Sequence, residues 1–270
     1  MRKNKVKEKL LRGESVLGIW QSINSIDLTE MSGYSGYDFI ILDTEHGPMS
    51  AESCIPLVCA AERTNIVPII RVSEIQKTYI LKALDVGAMG IIFPMVSTLE
   101  EAKRAVSLSK YIQKGDQKRE RFRGLINVSR AAGYGIAVDE KSHIETSNKE
   151  IILIVQFETK EAVDNLEEIL KLEEIDVVFI GAADLSQSLG FPGEYNNTIV
   201  KNTIKEAIKK IVNSGKAAGV VALSPDSIKY WIELGVKFIT CHQTMILSEA
   251  LGNFVNSFNK VVHNYFSCKS

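Results

Sequence analysis

Eight short apolar runs alternate with stretches of helical spacing from one end of this chain to the other. The runs are Val16 to Trp20, Asp38 to Leu42, Val67 to Arg71, Gly90 to Pro94, Ile151 to Glu158, Val177 to Gly181, Ala218 to Ala222 and Phe238 to Cys241. Continuous apolar runs of this length read as parallel strands buried on both faces. Between them, Ile75 to Val86, Leu99 to Tyr111, Lys160 to Leu172, Ile199 to Val212 and Asp226 to Leu234 repeat their apolar residues at helical spacing. Ser97-Thr98-Leu99-Glu100-Glu101 reads as a capping box, and Gly215 and Gly235 as helix ends. No composition break divides the 270 residues. The pattern predicts one α/β domain spanning residues 1–270, a closed (β/α)8 barrel. An open dinucleotide-binding sheet would need G-x-G-x-x-G after an early strand, and neither that motif nor a P-loop occurs.

Four of the runs end in residues that can do chemistry. The second leads into Asp43-Thr44-Glu45-His46-Gly47-Pro48 and the third ends in Arg71. The fifth ends in Gln156-Phe157-Glu158-Thr159, and the sixth in Gly181-Ala182-Ala183-Asp184. In such barrels the active site lies at the C-terminal ends of the strands, so one rim would collect an acid, a base, a cation and two further carboxylates. Asp43 and His46 are near enough to hydrogen-bond, and a carboxylate on one imidazole nitrogen raises the basicity of the other. Glu158 and Asp184 could form a glycosidase pair, an ion-pair network or a hard-cation site, and oxygen ligands with room for water suit Mg²⁺ or Mn²⁺ best. Arg71 offers a fork of donors for a carboxylate or oxyanion, or else caps the rim by pairing with Glu45 or Asp43. Gln156 shares an inward face with Glu158. A Schiff-base mechanism is disfavoured, because Lys216 and Lys237 precede their strands and Lys160 opens a helix.

The net charge of −1 gives no footprint for nucleic acid, and no run is long enough to span a membrane. Met1 to Arg12 lacks the apolar core of a secretory signal and reads as a short helix with a solvated basic face. Cys54, Cys59, Cys241 and Cys268 show no metal spacing, so reduced thiols in the cytoplasm are expected. The charged stretch from Gln113 through Gly135 to His143 interrupts the rhythm and predicts a loop over the site or a subunit contact.

Several segments in order resemble the HpcH/HpaI family of metal-dependent pyruvate aldolases. They are Leu42 to Pro48, Ile70-Arg71-Val72, Leu84 to Gly90, Phe93-Pro94-Met95-Val96, Gln156 to Val163, and Ile175-Asp176 through Asp184-Leu185-Ser186. The resemblance spans Leu17 to Leu251 and implies a barrel of the phosphoenolpyruvate/pyruvate-binding type. It implies that Glu158 and Asp184 hold a divalent cation (Mg²⁺, Mn²⁺ or Co²⁺) with Glu45 in its outer shell. By the same resemblance, His46 oriented by Asp43 is the base, Arg71 binds the keto oxygen, and Gln156 with backbone near Ala183 contacts pyruvate. The implied reaction joins pyruvate to an aldehyde, or cleaves a 4-hydroxy-2-oxo acid. Trimers or hexamers that exchange their last helix are also implied. The chain departs from the family pattern at Ser22 to Asp27, Gly181-Ala182, Lys118 to Gly124 and Thr244, which bear on the aldehyde and leave the metal ligands and base in place. Another enolate-forming lyase or synthase is the alternative enzyme, with Lys114 to Arg123 the one basic stretch available to an acyl-CoA. A non-catalytic assembly subunit is the alternative from another class.

Overall fold

The computed structural model describes residues 2–113 and 121–267. In chain order the elements are α1 (Lys5–Leu11), β1 (Val16–Gln21), α2 (Ile26–Tyr34), β2 (Phe39–Asp43), α3 (Ile55–Thr64), β3 (Val67–Arg71) and α4 (Lys77–Asp85). Next come β4 (Gly90–Phe93), α5 (Leu99–Ser109), a 3-10 turn (Arg130–Gly135), α6 (Glu140–Glu150), β5 (Ile152–Phe157) and α7 (Lys160–Leu170). The chain ends with β6 (Val177–Ile180), α8 (Ala182–Ser188), α9 (Thr198–Asn213), β7 (Ala217–Val221), α10 (Pro225–Glu233), β8 (Phe238–His242) and α11 (Gln243–Ser267). All eight strands are parallel, and β8 pairs with β1 to close the barrel predicted from the sequence. The Thr98–Glu101 capping box forms, and Gly215 and Gly235 end their helices at φ +84° and +86°.

Strand parity sorts the core into two shells. Phe39 and Ile41 face the barrel interior with Val67, Ile69, Ile152, Ile154, Phe179 and Phe238. Ile40, Leu42 and Ile70 face outward against the helices. Phe39 and Phe238 stack at 4.2 Å between centroids, and Phe39 fills the space left by Gly18, where a Cβ would meet its ring at 2.0 Å. Large and small residues therefore alternate to fill the interior, as a packed core requires.

The lower end is plugged by α1. Val6 is buried within the interior shell, and Asn4 donates from Nδ2 to the carbonyls of Met89 and Glu150, both at 2.9 Å. Lys7 pairs with Asp176 at 2.9 Å and Lys9 with Asp38 at 2.5 Å. Part of the face expected to be solvated is thus spent on the barrel floor. Lys110 and Lys216 also lie at this end, with their amines on backbone carbonyls, so neither lysine reaches the mouth.

The excursion before β5 differs from the expected cover. It follows α5 rather than β4, so it leaves from the floor side, and its described contacts run along the outer helices. Phe122 N–H donates to the Ser107 carbonyl, and Arg130 bonds Glu62 and the Val86 carbonyl. Its second half is helical, because Asp139 caps Ser142 N–H and opens α6. Arg123 is buried against the Tyr111 ring at 4.1 Å, and Arg121 bonds Glu174, so neither is a free surface cation. Lys114 to Glu120 lie outside the described residues.

Among the described residues, no helix is long and apolar enough to cross a membrane. On α11, Leu251, Phe254, Phe258 and Val261 are exposed, which leaves an apolar face uncovered in the single chain.

Candidate active site

The parallel register brings the charged strand ends together. Asp43 and Arg71 are partners across β2 and β3, and the guanidinium grips the carboxylate at two points. Nε donates to Oδ1 at 2.9 Å and Nη2 to Oδ2 at 2.6 Å. The third arm, Nη1, lies 2.9 Å from Glu45 Oε2 and donates to Gln156 Oε1 at 3.4 Å. Gln156 in turn donates from Nε2 to Glu158 Oε2 at 2.8 Å, while Glu158 Oε1 accepts the Met95 N–H at 2.6 Å. A continuous network thus runs from β2 to β5, nearly all of it buried. The rim-capping pairs foreseen for Arg71, with Asp43 and with Glu45, both form. Asp184 sits in the first turn of α8.

The expected Asp43–imidazole bond is not the one that forms. Asp43 Oδ1 accepts the backbone N–H groups of Glu45 and His46 at 3.0 and 3.2 Å, and so holds the turn. The His46 side chain is exposed at the rim. Arg71 wins the carboxylate because a bidentate charge-assisted contact outweighs a single bond to an imidazole.

The carboxyls differ in how they hold protons. Burial raises that of Asp43, but the bonds and charge of Arg71 and the two backbone N–H groups overcome this and hold it below its usual value. Burial pushes Glu45 up, with Arg71 opposing. Glu158 is pushed to about 7, first by burial and then by the charges of Asp184 and Glu45, against the Met95 N–H. The negative charge gathered around Glu158 is therefore undercompensated by Arg71, which Asp43 has already engaged.

That imbalance bears on metal binding. Glu45 Oε2 is buried and, although near Arg71, is not aligned with any donor. Glu158 and Asp184 carry hard carboxylate oxygens, the donor type that suits a divalent cation with positions left for water and substrate. Among the described residues no three His, Cys, Asp or Glu side chains converge as a preformed cage. The donor set fits Mg²⁺ or Mn²⁺ held by two carboxylates and completed by small molecules.

Three contributors were not visible from strand-end charges. Trp20, the inward residue near the end of β1, lies under the Arg71 guanidinium at 4.6 Å. His242, at the end of β8, stacks on Trp20 at 5.7 Å. Met95 adopts φ +55° and presents its N–H to Glu158. The period-two pattern of β1 and β8 would have found the first two. No local signal marks Met95.

A family model for HpcH/HpaI aldolase/citrate lyase matches residues 16–240. The chain belongs to the HpcH/HpaI family. Among curated relatives of this family, 2-keto-3-deoxy-L-rhamnonate aldolase of Escherichia coli (strain K12) is 37% identical over 250 residues, covering 92% of this chain and 90% of that one. The crystal structure of an HpcH/HpaI aldolase/citrate lyase family protein from Burkholderia cenocepacia J2315 superposes with TM-score 0.89 at 26% identity, over 95% of this chain and all of that one. The citrate synthase SbnG superposes with TM-score 0.82 at 30% identity, over 94% of this chain and 97% of that one. Membership makes the protein an enzyme of a family that includes carbon–carbon lyases and synthases.

Proposed function

We propose that the protein is a divalent-metal-dependent aldolase that joins pyruvate to an aldehyde or splits a 2-oxo-3-deoxy acid. The observation that carries this reading is the linked set Asp43–Arg71–Gln156–Glu158 at the barrel mouth, with Asp184 and His46 beside it. Glu158 and Asp184 would hold the cation, and Glu45 a water bound to it. When bound, the metal supplies Lewis acidity toward the keto group.

The chain's own residues do the rest. Arg71, clamped by Asp43, presents donors to the keto oxygen, where negative charge develops as a methyl proton leaves. Because the clamp is preset, little reorganisation opposes that step. Gln156, oriented from both sides by Arg71 and Glu158, and the backbone at Ala183 line the place of the oxo acid. His46 takes the proton from the exposed rim, directly or through water, and returns one to the aldehyde oxygen after the carbon–carbon bond forms.

Solvent exchange of pyruvate methyl protons, followed by NMR in D₂O with Mn²⁺ or Mg²⁺ and again with a chelator, tests this reading. Metal-dependent exchange is expected, and its absence with every metal sinks the proposal. The 30% identity to a citrate synthase supports condensation with an oxo acid as the second reading. The exposed apolar face of α11 supports a homo-oligomer, a trimer or hexamer, which sedimentation equilibrium checks. The unpaired thiols of Cys54, Cys59 and Cys241 support a cytoplasmic setting.

A further inference from the structure

The mouth of the barrel has two chemically different arcs. On β2, β3, β5 and α8 stand Asp43, Arg71, Gln156, Glu158 and Asp184, all polar and most already bonded to one another. On the arc formed by β7, β8 and β1, the uppermost inward residues are Val221, His242 and Trp20. None of these three residues is a carboxylate, and with the Trp20 indole N–H already donated to Thr240, the imidazole of His242 is the polar group left to a ligand.

His242 faces inward by parity. Phe238, four residues earlier, belongs to the barrel interior, and Thr240 accepts the Trp20 indole N–H at 3.0 Å. Trp20 and His242 are register partners across β1 and β8, and their rings stack at 5.7 Å with an interplanar angle of 21°. The same indole lies under Arg71, so Trp20 joins the two arcs. The imidazole is half-buried, and no described residue bonds either of its nitrogens. Burial, then the nearby Arg71 charge, hold it below the ordinary histidine range, with Asp43 opposing, which favours the neutral imidazole. A neutral imidazole offers one donor and one acceptor, which is the complement of a hydroxyl group. A carboxylate would want donors only, and the cation on hand, Arg71, is shared between Asp43 and Glu45.

We infer that His242 is a specificity-determining residue that binds a hydroxyl of the aldehyde acceptor, with Trp20 as the platform beneath that substrate. This rests on the aldolase reading above, in which the opposite arc takes pyruvate. The acceptor class assigned is a short hydroxyaldehyde, in preference to a simple alkanal or an acceptor carrying a carboxylate.

Aldol addition of pyruvate to glycolaldehyde, acetaldehyde and glyoxylate is the test, run on the full chain with Mn²⁺ in wild type, His242→Ala and His242→Asn. The wild type should prefer glycolaldehyde. His242→Ala should lower the ratio of kcat/KM for glycolaldehyde over acetaldehyde by about fivefold to tenfold, the worth of one hydrogen bond, mainly through KM. His242→Asn, which keeps a donor and an acceptor, should restore part of the ratio. A merely structural histidine would move both aldehydes together. An unchanged ratio in both variants, or a wild-type preference for glyoxylate, overturns the inference while leaving the aldolase reading intact. Failure of wild-type pyruvate to exchange its methyl protons overturns both.

Discussion

Glu158 packs so closely over Gly181 that a Cβ built on that glycine would fall 2.2 Å from Oε2 and 2.7 Å from the glutamate's own Cβ. The start of the β6–α8 turn is therefore shaped around the carboxylate of β5. Gly181 has φ −85°, a value any residue adopts, so its requirement is for space and not for backbone freedom. Gly181→Ala should leave the barrel folded and displace Glu158. The expected result is a 10- to 100-fold loss of Mn²⁺ affinity, typical of disturbing a ligand's support, read by titration calorimetry. Unaltered affinity would remove Glu158 from the metal site.

Arg71→Lys should be severe despite the retained charge. A lysine cannot hold Asp43 at two points while reaching Gln156. Loss of about 10² to 10³ in kcat is expected where a preset oxyanion donor goes. The melting temperature should also fall, since Asp43 stays buried with a poorer partner. Steady-state kinetics and calorimetry on one preparation decide both points.

His46→Ala separates proton transfer from metal binding. Its side chain is exposed, and the turn is held by its backbone N–H on Asp43, which alanine keeps. Turnover should fall by about 10² to 10⁴ while Mn²⁺ affinity holds. Full activity in the variant would exclude His46 as the base.

Stability should carry an acid-side signature from His143. This side chain is fully buried on α6 beside Tyr111, and burial, then the Arg123 charge, hold its pKa at about 4 against an ordinary 6.5. Between those values the unfolded chain takes up a proton that the folded chain does not. Its contribution is therefore full above about pH 6.5 and is lost progressively as pH falls toward 4. Urea midpoints at pH 7 and pH 5 should drop further in the wild type than in His143→Gln. Equal drops would assign the acid sensitivity to other groups.

The barrel was legible because each strand is buried on both faces and so writes itself as an unbroken apolar run. Gln156 and Glu158 were placed together for the same reason, since a spacing of two fixes the face. Pairings between strands were harder to read. Asp43 and Arg71 are 28 residues apart and meet through the β2–β3 register, whereas the nearer His46 lost the carboxylate. Helix α6 was missed because Glu140 to Glu150 is mostly polar and buries only His143 and Ser147, leaving little apolar period to detect. A cover over the site was expected of the excursion because its charge and length mark it as a loop, whereas its side of the barrel is set by α5, which returns the chain to the floor before it begins.

Trp20 gives the molecule a built-in optical probe. The chain has two tryptophans, and the other, Trp231, packs against Tyr230 on α10, outside the barrel. With Trp231 replaced by phenylalanine, emission would come from an indole that touches Arg71 on one arc of the mouth and His242 on the other. Filling either half of the site alters the surroundings of that one chromophore. Donor and acceptor occupancy then become readable as light, in an enzyme whose reactants carry no useful colour of their own.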